Sequence, residues 1–284
     1  MGFEQEAPDI GMTPHIFFLN LDRASDRLAF MQSQAAAAGV EIERVQGTLG
    51  TAVDTSVRSQ FLNEDGSIAS HLSAGEVGCY ASHLKAYREV VDRDLPLALV
   101  LEDDVELPAG LAGILRETVA HLPAQWDVVK LCNSAERAVY TLSVLSNGSH
   151  LVRFYRQPPL AGAYLISNTG ARKMLAARPR VRPVDIEFRQ PWHIGLDMYG
   201  VCPRLIQQRH DIESEIGKLG RRGRSGPRDR APARTFAYAV GKIGLMQTLV
   251  CRVVEWTALL GLRTIGNVWV GEPTRPRRLA GRRA

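Results

Sequence analysis

The chain has 284 residues, 45% apolar and 23% charged, which suits one large α/β domain plus an appendage and excludes a disordered or fibrous chain. Its formal charge of +5 conceals two unlike parts: residues 1–217 hold 20 Lys+Arg against 27 Asp+Glu, whereas residues 218–284 hold 15 against 3. The four cysteines (Cys79, Cys132, Cys202, Cys251) are far apart with no C-x-x-C pair, which argues against a zinc site or a disulfide framework and reads as thiols in a reducing compartment.

The acidic first residues have no apolar h-region, so no signal peptide is expected, and Glu6 stands where myristoylation wants Ser or Thr. No stretch is both long and uncharged enough for a membrane span. Residues 1–14 read as an extension. Residues 15–21 are apolar and follow Pro14, which predicts a buried first strand. Ser25 is a candidate cap for a helix to about Ala38, ended by Gly39. A second short strand is expected in 41–46 and a long loop in 48–74. Ser73 with Glu76 forms a candidate capping box for a helix to about Arg93, with Cys79, His83, Ala86, Tyr87 and Val90 on one face. Residues 97–101 are continuously apolar, the pattern of a strand covered on both sides. Pro108 opens a helix to about His121, and 127–132 is a further strand. Asn147-Gly148 marks a hairpin between 139–145 and 150–155. Residues 161–167 lead into a short helix over 171–177, and 203–208 is a last strand candidate. This alternation predicts an α/β fold with a mixed, mostly parallel sheet and helices on both faces. Residues 218–234 read as a flexible basic linker, 236–262 as one amphipathic helix interrupted by Lys242, Arg252 and Glu255, and 275–284 as a disordered basic end.

Glu102, Asp103 and Asp104 close the apolar strand at its carboxyl end, where open α/β sheets bind ligands. Three adjacent carboxylates repel one another unless a cation or donors compensate. Strand alternation points Glu102 and Asp104 one way and Asp103 the other, a pair of oxygen ligands that suits Mg²⁺ or Mn²⁺. A solvated acidic turn is the plainer alternative. Asn20, Asp22, Arg23 and Arg27 occupy a strand-to-helix turn on the same side, with arginines suited to phosphate and Asn20 or Asp22 to a nucleoside. His83 lies on an apolar helix face, as a core histidine or a binding residue. Asp185 and Asp197 are isolated acids, and either is a candidate base for an acceptor hydroxyl.

In this order, several segments resemble glycosyltransferase family 25, which includes lipooligosaccharide hexosyltransferases and collagen galactosyltransferases. They are Phe18 to Arg23 with Asp26-Arg27; Gly75 to Cys79 with Ser82-His83; Leu99 to Val105; Ala163 to Ser167 with Gly170-Ala171; and Pro183-Val184-Asp185. The resemblance covers about residues 15–210. It implies a GT-A-like single nucleotide-sugar-binding domain over 15–217 and inverting transfer of galactose or glucose from a UDP-sugar to a glycan or glycolipid acceptor. The acid cluster would take the role of the family's D-x-D metal motif, with Glu102 departing from the strict pattern. Asp185 falls in a matching segment and is the preferred base over Asp197. The basic tail lies outside the resemblance. Its charge and apolar helix predict a peripheral protein on the anionic cytoplasmic face of a membrane. Competing readings are a catalytically inactive nucleotide-binding membrane protein, a metal-dependent phosphoesterase and, least favoured for want of aromatics among the arginines, a nucleic-acid binder.

Overall fold

The computed structural model describes residues 13–132, 138–209, 232–259 and 268–270. Most of the expected N-terminal extension, nearly all of the basic linker and the basic end lie outside the described residues. Strands and helices alternate first: β1 (His15–Asn20), α1 (Ser25–Ala38), β2 (Glu43–Gln46), α2 (Thr55–Arg58), α3 (Ala74–Asp92) and β3 (Leu97–Glu102). Gly39 ends α1 at φ 65°, the left-handed conformation that glycine adopts without strain. At the start of α3 the capping box is reciprocal: the Ser73 hydroxyl accepts from the Glu76 N–H, and the Glu76 carboxylate accepts from the Ser73 N–H. Then follow β4 (Val105–Glu106), α4 (Leu111–Ala120), β5 (Val128–Lys130) and the hairpin of β6 (Ala138–Val144) and β7 (His150–Phe154). β8 (Ala163–Ser167), α5 (Asn168–Leu175), α6 (Val184–Arg189), β9 (Met198–Cys202) and β10 (Gln207–Gln208) complete the body.

Among the described residues, nine strands, including β11 (Val268–Val270), form one sheet in the order β11-β6-β7-β9-β5-β8-β3-β1-β2. The sheet is mixed as expected, but without a parallel majority: four pairings are parallel and four antiparallel. The reason is β8, which lies antiparallel between β3 and β5, and the β6–β7 hairpin, which joins the sheet beside β9. In β3, Ala98 and Val100 enter the core built with Val77, Tyr80 and Leu84 of α3. Leu97, Leu99 and Leu101 enter the opposite core with Met31 of α1 and Leu111 and Leu115 of α4. Cover on both faces explains the uninterrupted apolar run of this strand.

The C-terminal region is helical, but its expected single helix is two. α7 (Pro232–Ile243) and α8 (Leu245–Leu259) are parted by Gly244 at φ 84°. Ala239, Ile243 and Cys251 are buried against Ala138 and Tyr155. The Tyr238 hydroxyl donates to the Leu196 carbonyl at 2.9 Å and accepts from the Met198 N–H at 3.3 Å. These helices are therefore part of the packed molecule, and β11 extends the sheet beyond β6. α8 turns Thr248 and Cys251 inward and leaves Met246 (70%), Val253 (59%) and Trp256 (65%) exposed. Among the described residues, no helix is long and apolar enough to cross a membrane.

Candidate active site

β1, β2 and β3 are parallel, with Leu19 in register with Glu102 and Asn20 with Gln46, so their carboxyl ends form one rim. On that rim Asp103 is buried and fully engaged, accepting from Asn20 Nδ2 at 2.8 Å and from Arg27 Nη1 at 2.6 Å. Asn20 also donates to the Ala24 carbonyl and accepts from Arg44 Nε at 3.0 Å. Two residues expected to bind nucleotide, Asn20 and Arg27, thus tie the β1–α1 turn to the end of β3. Asp103, expected among the metal ligands, is taken up by that tie; it stands in the turn after β3, where Arg27 Nη1 also lies 3.8 Å from Asp104 Oδ2. Asp22 is exposed; hydrogen bonds from Arg44 and Gln46 hold its carboxyl below the ordinary value. Arg23 is exposed on the same turn.

Glu102 and Asp104 converge instead on a single donor. Gln208 Nε2 lies 3.3 Å from Glu102 Oε2 and 3.1 Å from both oxygens of Asp104. The short β4–β10 ladder, with Gln208 opposite Val105, brings this amide across the cluster. Burial, with the charge of Glu102 added, pushes the Asp104 carboxyl up to about 7 against the opposing pull of Gln208 and Arg27. The other Glu102 oxygen faces His83 Nε2 at 3.6 Å. His83 is wholly buried, and its Nδ1 is hydrogen-bonded to the Tyr164 hydroxyl at 2.7 Å, which meets the Tyr87 hydroxyl at 2.7 Å.

The two candidate bases fall in different places. Asp185 stands in the first turn of α6, and its charge is felt at Cys79 on α3. Burial raises its carboxyl, Glu102 adds to the rise, and Lys130 opposes it. Asp197 precedes β9, whose Met198 is in register through β5 and β8 with Ala98, at the far end of β3. About 13 Å of strand, at ~3.3 Å per residue, separates that level from Glu102. There Asp197 pairs with Arg153 at 2.6 Å and Lys242 at 2.9 Å. Asp185 thus lies within electrostatic reach of Glu102, whereas Asp197 stands apart with Arg153 and Lys242.

Gln208, Lys130, Tyr164 and Cys79 escaped the sequence-based site. Lys130 is buried and donates to the Pro158 and Pro159 carbonyls. A charge set within the otherwise apolar run 128–132 was its signal. Gln208 carried none, because a pairing across about 100 residues places it.

A family model described as glycosyltransferase family 25 (LPS biosynthesis protein) matches residues 13–187. The chain belongs to that family. It is 28% identical over 190 residues to procollagen galactosyltransferase 2 of Homo sapiens, covering 63% of this chain and 30% of that protein. It is 32% identical over 186 residues to a probable inactive glycosyltransferase 25 family member 3 of Bos taurus, covering 60% of this chain and 30% of the relative. The chain thus spans about a third of the length of these curated relatives. Among solved structures it is similar to a galactosyltransferase in complex with donor and acceptor sugar analogs (15% identity, 56% of this chain and 59% of that one, TM-score 0.27). It is also similar to a glycosyltransferase involved in glycosylation of the major capsid of PBCV-1 (8% identity, 72% and 97%, TM-score 0.30).

Proposed function

We propose that this protein transfers a hexose from a UDP-hexose to a glycan or glycolipid acceptor with inversion, in surface-glycan biosynthesis of the lipopolysaccharide type. The observation that carries the reading is the convergence of Glu102 and Asp104 on one donor at the carboxyl rim of β1–β3. Two hard carboxylates aimed at the same small volume, one with its proton affinity raised by burial and then by the other's charge, fit a divalent cation of the Mn²⁺ or Mg²⁺ class. When bound, such a cation offsets charge on a departing nucleoside diphosphate. Asp103 holds the rim rigid through Asn20 and Arg27. Arg23, exposed on the turn beside it, would contact the donor's phosphates. Asp185 accepts the proton of the acceptor hydroxyl, and a carboxyl raised above its ordinary value is the better base for it.

Galactose is the favoured hexose because a human relative is a procollagen galactosyltransferase. The exposed apolar face of α8 supports presentation of the enzyme at the anionic cytoplasmic surface of a membrane, where lipid-linked acceptors lie. A second reading, an inactive nucleotide-binding protein, has the inactive relatives in its favour. Phosphoester hydrolysis, with water attacking in place of an acceptor, needs a richer set of His and Asp ligands than this rim carries.

The test is a screen of UDP-hexoses for hydrolysis and transfer, with Mn²⁺ and with chelator. Turnover should depend on the metal, and Asp104→Asn should lower it by about 100-fold or more. Asp185→Asn should remove transfer by a comparable factor, on the order of 10²–10⁴, with UDP-hexose binding changed no more than a few-fold. Full turnover in excess chelator overturns the metal assignment. Binding of UDP-hexose without turnover of any sugar selects the inactive reading, and cleavage of a generic phosphoester selects hydrolysis.

A further inference from the structure

Glu102 is shared between two neighbourhoods. Its Oε2 faces Gln208 and Asp104, while its Oε1 faces α3. On α3, Cys79 and His83 stand four residues apart and therefore on one side of the helix. The Cys79 sulfur, a His83 ring nitrogen and a Glu102 oxygen all lie within 4.8 Å of one another. Two of the three donors have no other occupation. His83 Nε2 is buried and makes no hydrogen bond. Cys79 is a free thiol.

The histidine makes the case. Its Nδ1 is committed to the Tyr164 hydroxyl, which in turn meets Tyr87. If Nε2 carries its lone pair, that lone pair faces the Glu102 carboxylate at 3.6 Å. If it carries the proton, 3.6 Å is too long for a hydrogen bond to Glu102. Either way a fully buried polar atom is left without a hydrogen bond, which is costly inside a protein. A cation between Nε2 and Oε1 removes the conflict in one step. Tyr164 then acts as the outer partner that fixes the ring of a ligating histidine.

We propose that Cys79, His83 and Glu102 bind a divalent cation of borderline softness, of the Zn²⁺ class, at a site adjoining the Glu102–Asp104 pair and sharing Glu102 with it. Imidazole and thiolate select such an ion over Mg²⁺. Zinc bonds of about 2.0–2.3 Å hold tetrahedral ligands roughly 3.3–3.8 Å apart, so a modest inward turn of the sulfur closes the set. Three protein ligands leave a fourth position open. The widely spaced cysteines that argued against a zinc site in the sequence paired no two thiols; the set found here joins one thiol and a histidine of α3 to a carboxylate of β3.

The inference rests on the proposed transfer reaction only through Glu102, and its test uses no nucleotide. The full-length protein, stripped with chelator and titrated with Co²⁺ as a spectroscopic stand-in for Zn²⁺, should bind one ion with a near-ultraviolet thiolate-to-cobalt band that Zn²⁺ abolishes. Cys79→Ser should remove the band, and His83→Asn should weaken Co²⁺ binding at least tenfold. Asp104→Asn should leave the band in place, so failure of the transfer reading does not imitate failure here. Circular dichroism establishes that each variant is folded; should His83→Asn not fold, the near-isosteric Cys79→Ser decides alone. No band in the wild type, or one that survives Cys79→Ser, overturns the site.

Discussion

Asp197 and Asp185 are both withdrawn from water, and burial pushes both carboxyls upward; their partners decide the outcome. At Asp197, hydrogen bonds from Arg153 and Lys242 outweigh burial and hold the carboxyl below its ordinary value. A folded-state value below the unfolded one, about 3.9, stabilises the native protein above that pH and loses its effect as pH falls through the folded value. Asp197→Asn should therefore cost about 1–3 kcal/mol at pH 7, the range between a surface and a buried pair. The gap from wild type in urea denaturation should close as the pH drops below about 4. UDP-hexose hydrolysis should persist; its loss with unchanged stability would return Asp197 to the chemistry. At this scale the sequence showed the clustering of Glu102, Asp103 and Asp104 at the end of an apolar strand, because that mark is local; the expected strand alternation stops at Glu102, since Asp103 and Asp104 stand in a turn where Arg27 approaches both. The sequence did not show what Asn20 and Arg27 serve, because their partner Asp103 lies 76 or more residues along the chain.

α3 carries the site on one side and a tight backbone contact on another. A Cβ on Gly78 would sit 2.4 Å from the Thr48 carbonyl oxygen and 2.8 Å from the Gly50 nitrogen, both backbone atoms that cannot turn aside. In α4, a Cβ on Gly113 meets nothing within 4 Å. Alanine is the better helix former by up to ~1 kcal/mol. Gly113→Ala should thus stabilise by about 0.5–1 kcal/mol. Gly78→Ala should destabilise by about 1–3 kcal/mol, as overpacking does. Opposite shifts of the two urea midpoints are the expected result, and a shared direction would show that helix propensity alone governs both. The elements legible in advance were those with local marks: the capping box, Gly39, the doubly covered strand and the Asn147-Gly148 hairpin. β9 and α6 had none. β9 is five buried residues containing Gly200, whose absent side chain leaves room for the Phe154 ring of the neighbouring strand. Beyond it, the strand expected over 203–208 contracts to Gln207–Gln208, since only β4 is there to pair with it.

For the molecule as a whole, the C-terminal helices pose the question of which way α8 faces. Its amphipathic pattern was legible, but its orientation is reversed from that of a helix closing a core: Thr248 and Cys251 point inward, while Leu245, Met246, Leu249, Val250, Val253 and Trp256 form one outward side. A contiguous apolar surface of this kind marks a docking site. Its setting is cationic, with Arg252 exposed on the same helix and Arg156 exposed beside its end; in sequence, residues 218–284 hold 15 Lys+Arg against 3 acids. An anionic bilayer surface matches both properties, at about 1 kcal/mol for each basic residue held close to it. Removing everything after residue 217 is a poor test, because it would bare Ala138 and Tyr155 and strip Lys242 from Asp197. Point changes on the outward side are better. The double variant Met246→Glu, Val253→Glu should keep the wild-type melting temperature, since both side chains are solvent-exposed, and should retain UDP-hexose hydrolysis. It should lose at least tenfold in co-sedimentation with anionic vesicles, and raised salt should weaken the wild type without abolishing its binding, because apolar contact survives screening. If the wild type ignores anionic vesicles and instead elutes as a dimer that the double variant dissociates, this side of α8 joins two copies and the membrane assignment fails. Equal sedimentation of both proteins would place the membrane contact outside α8.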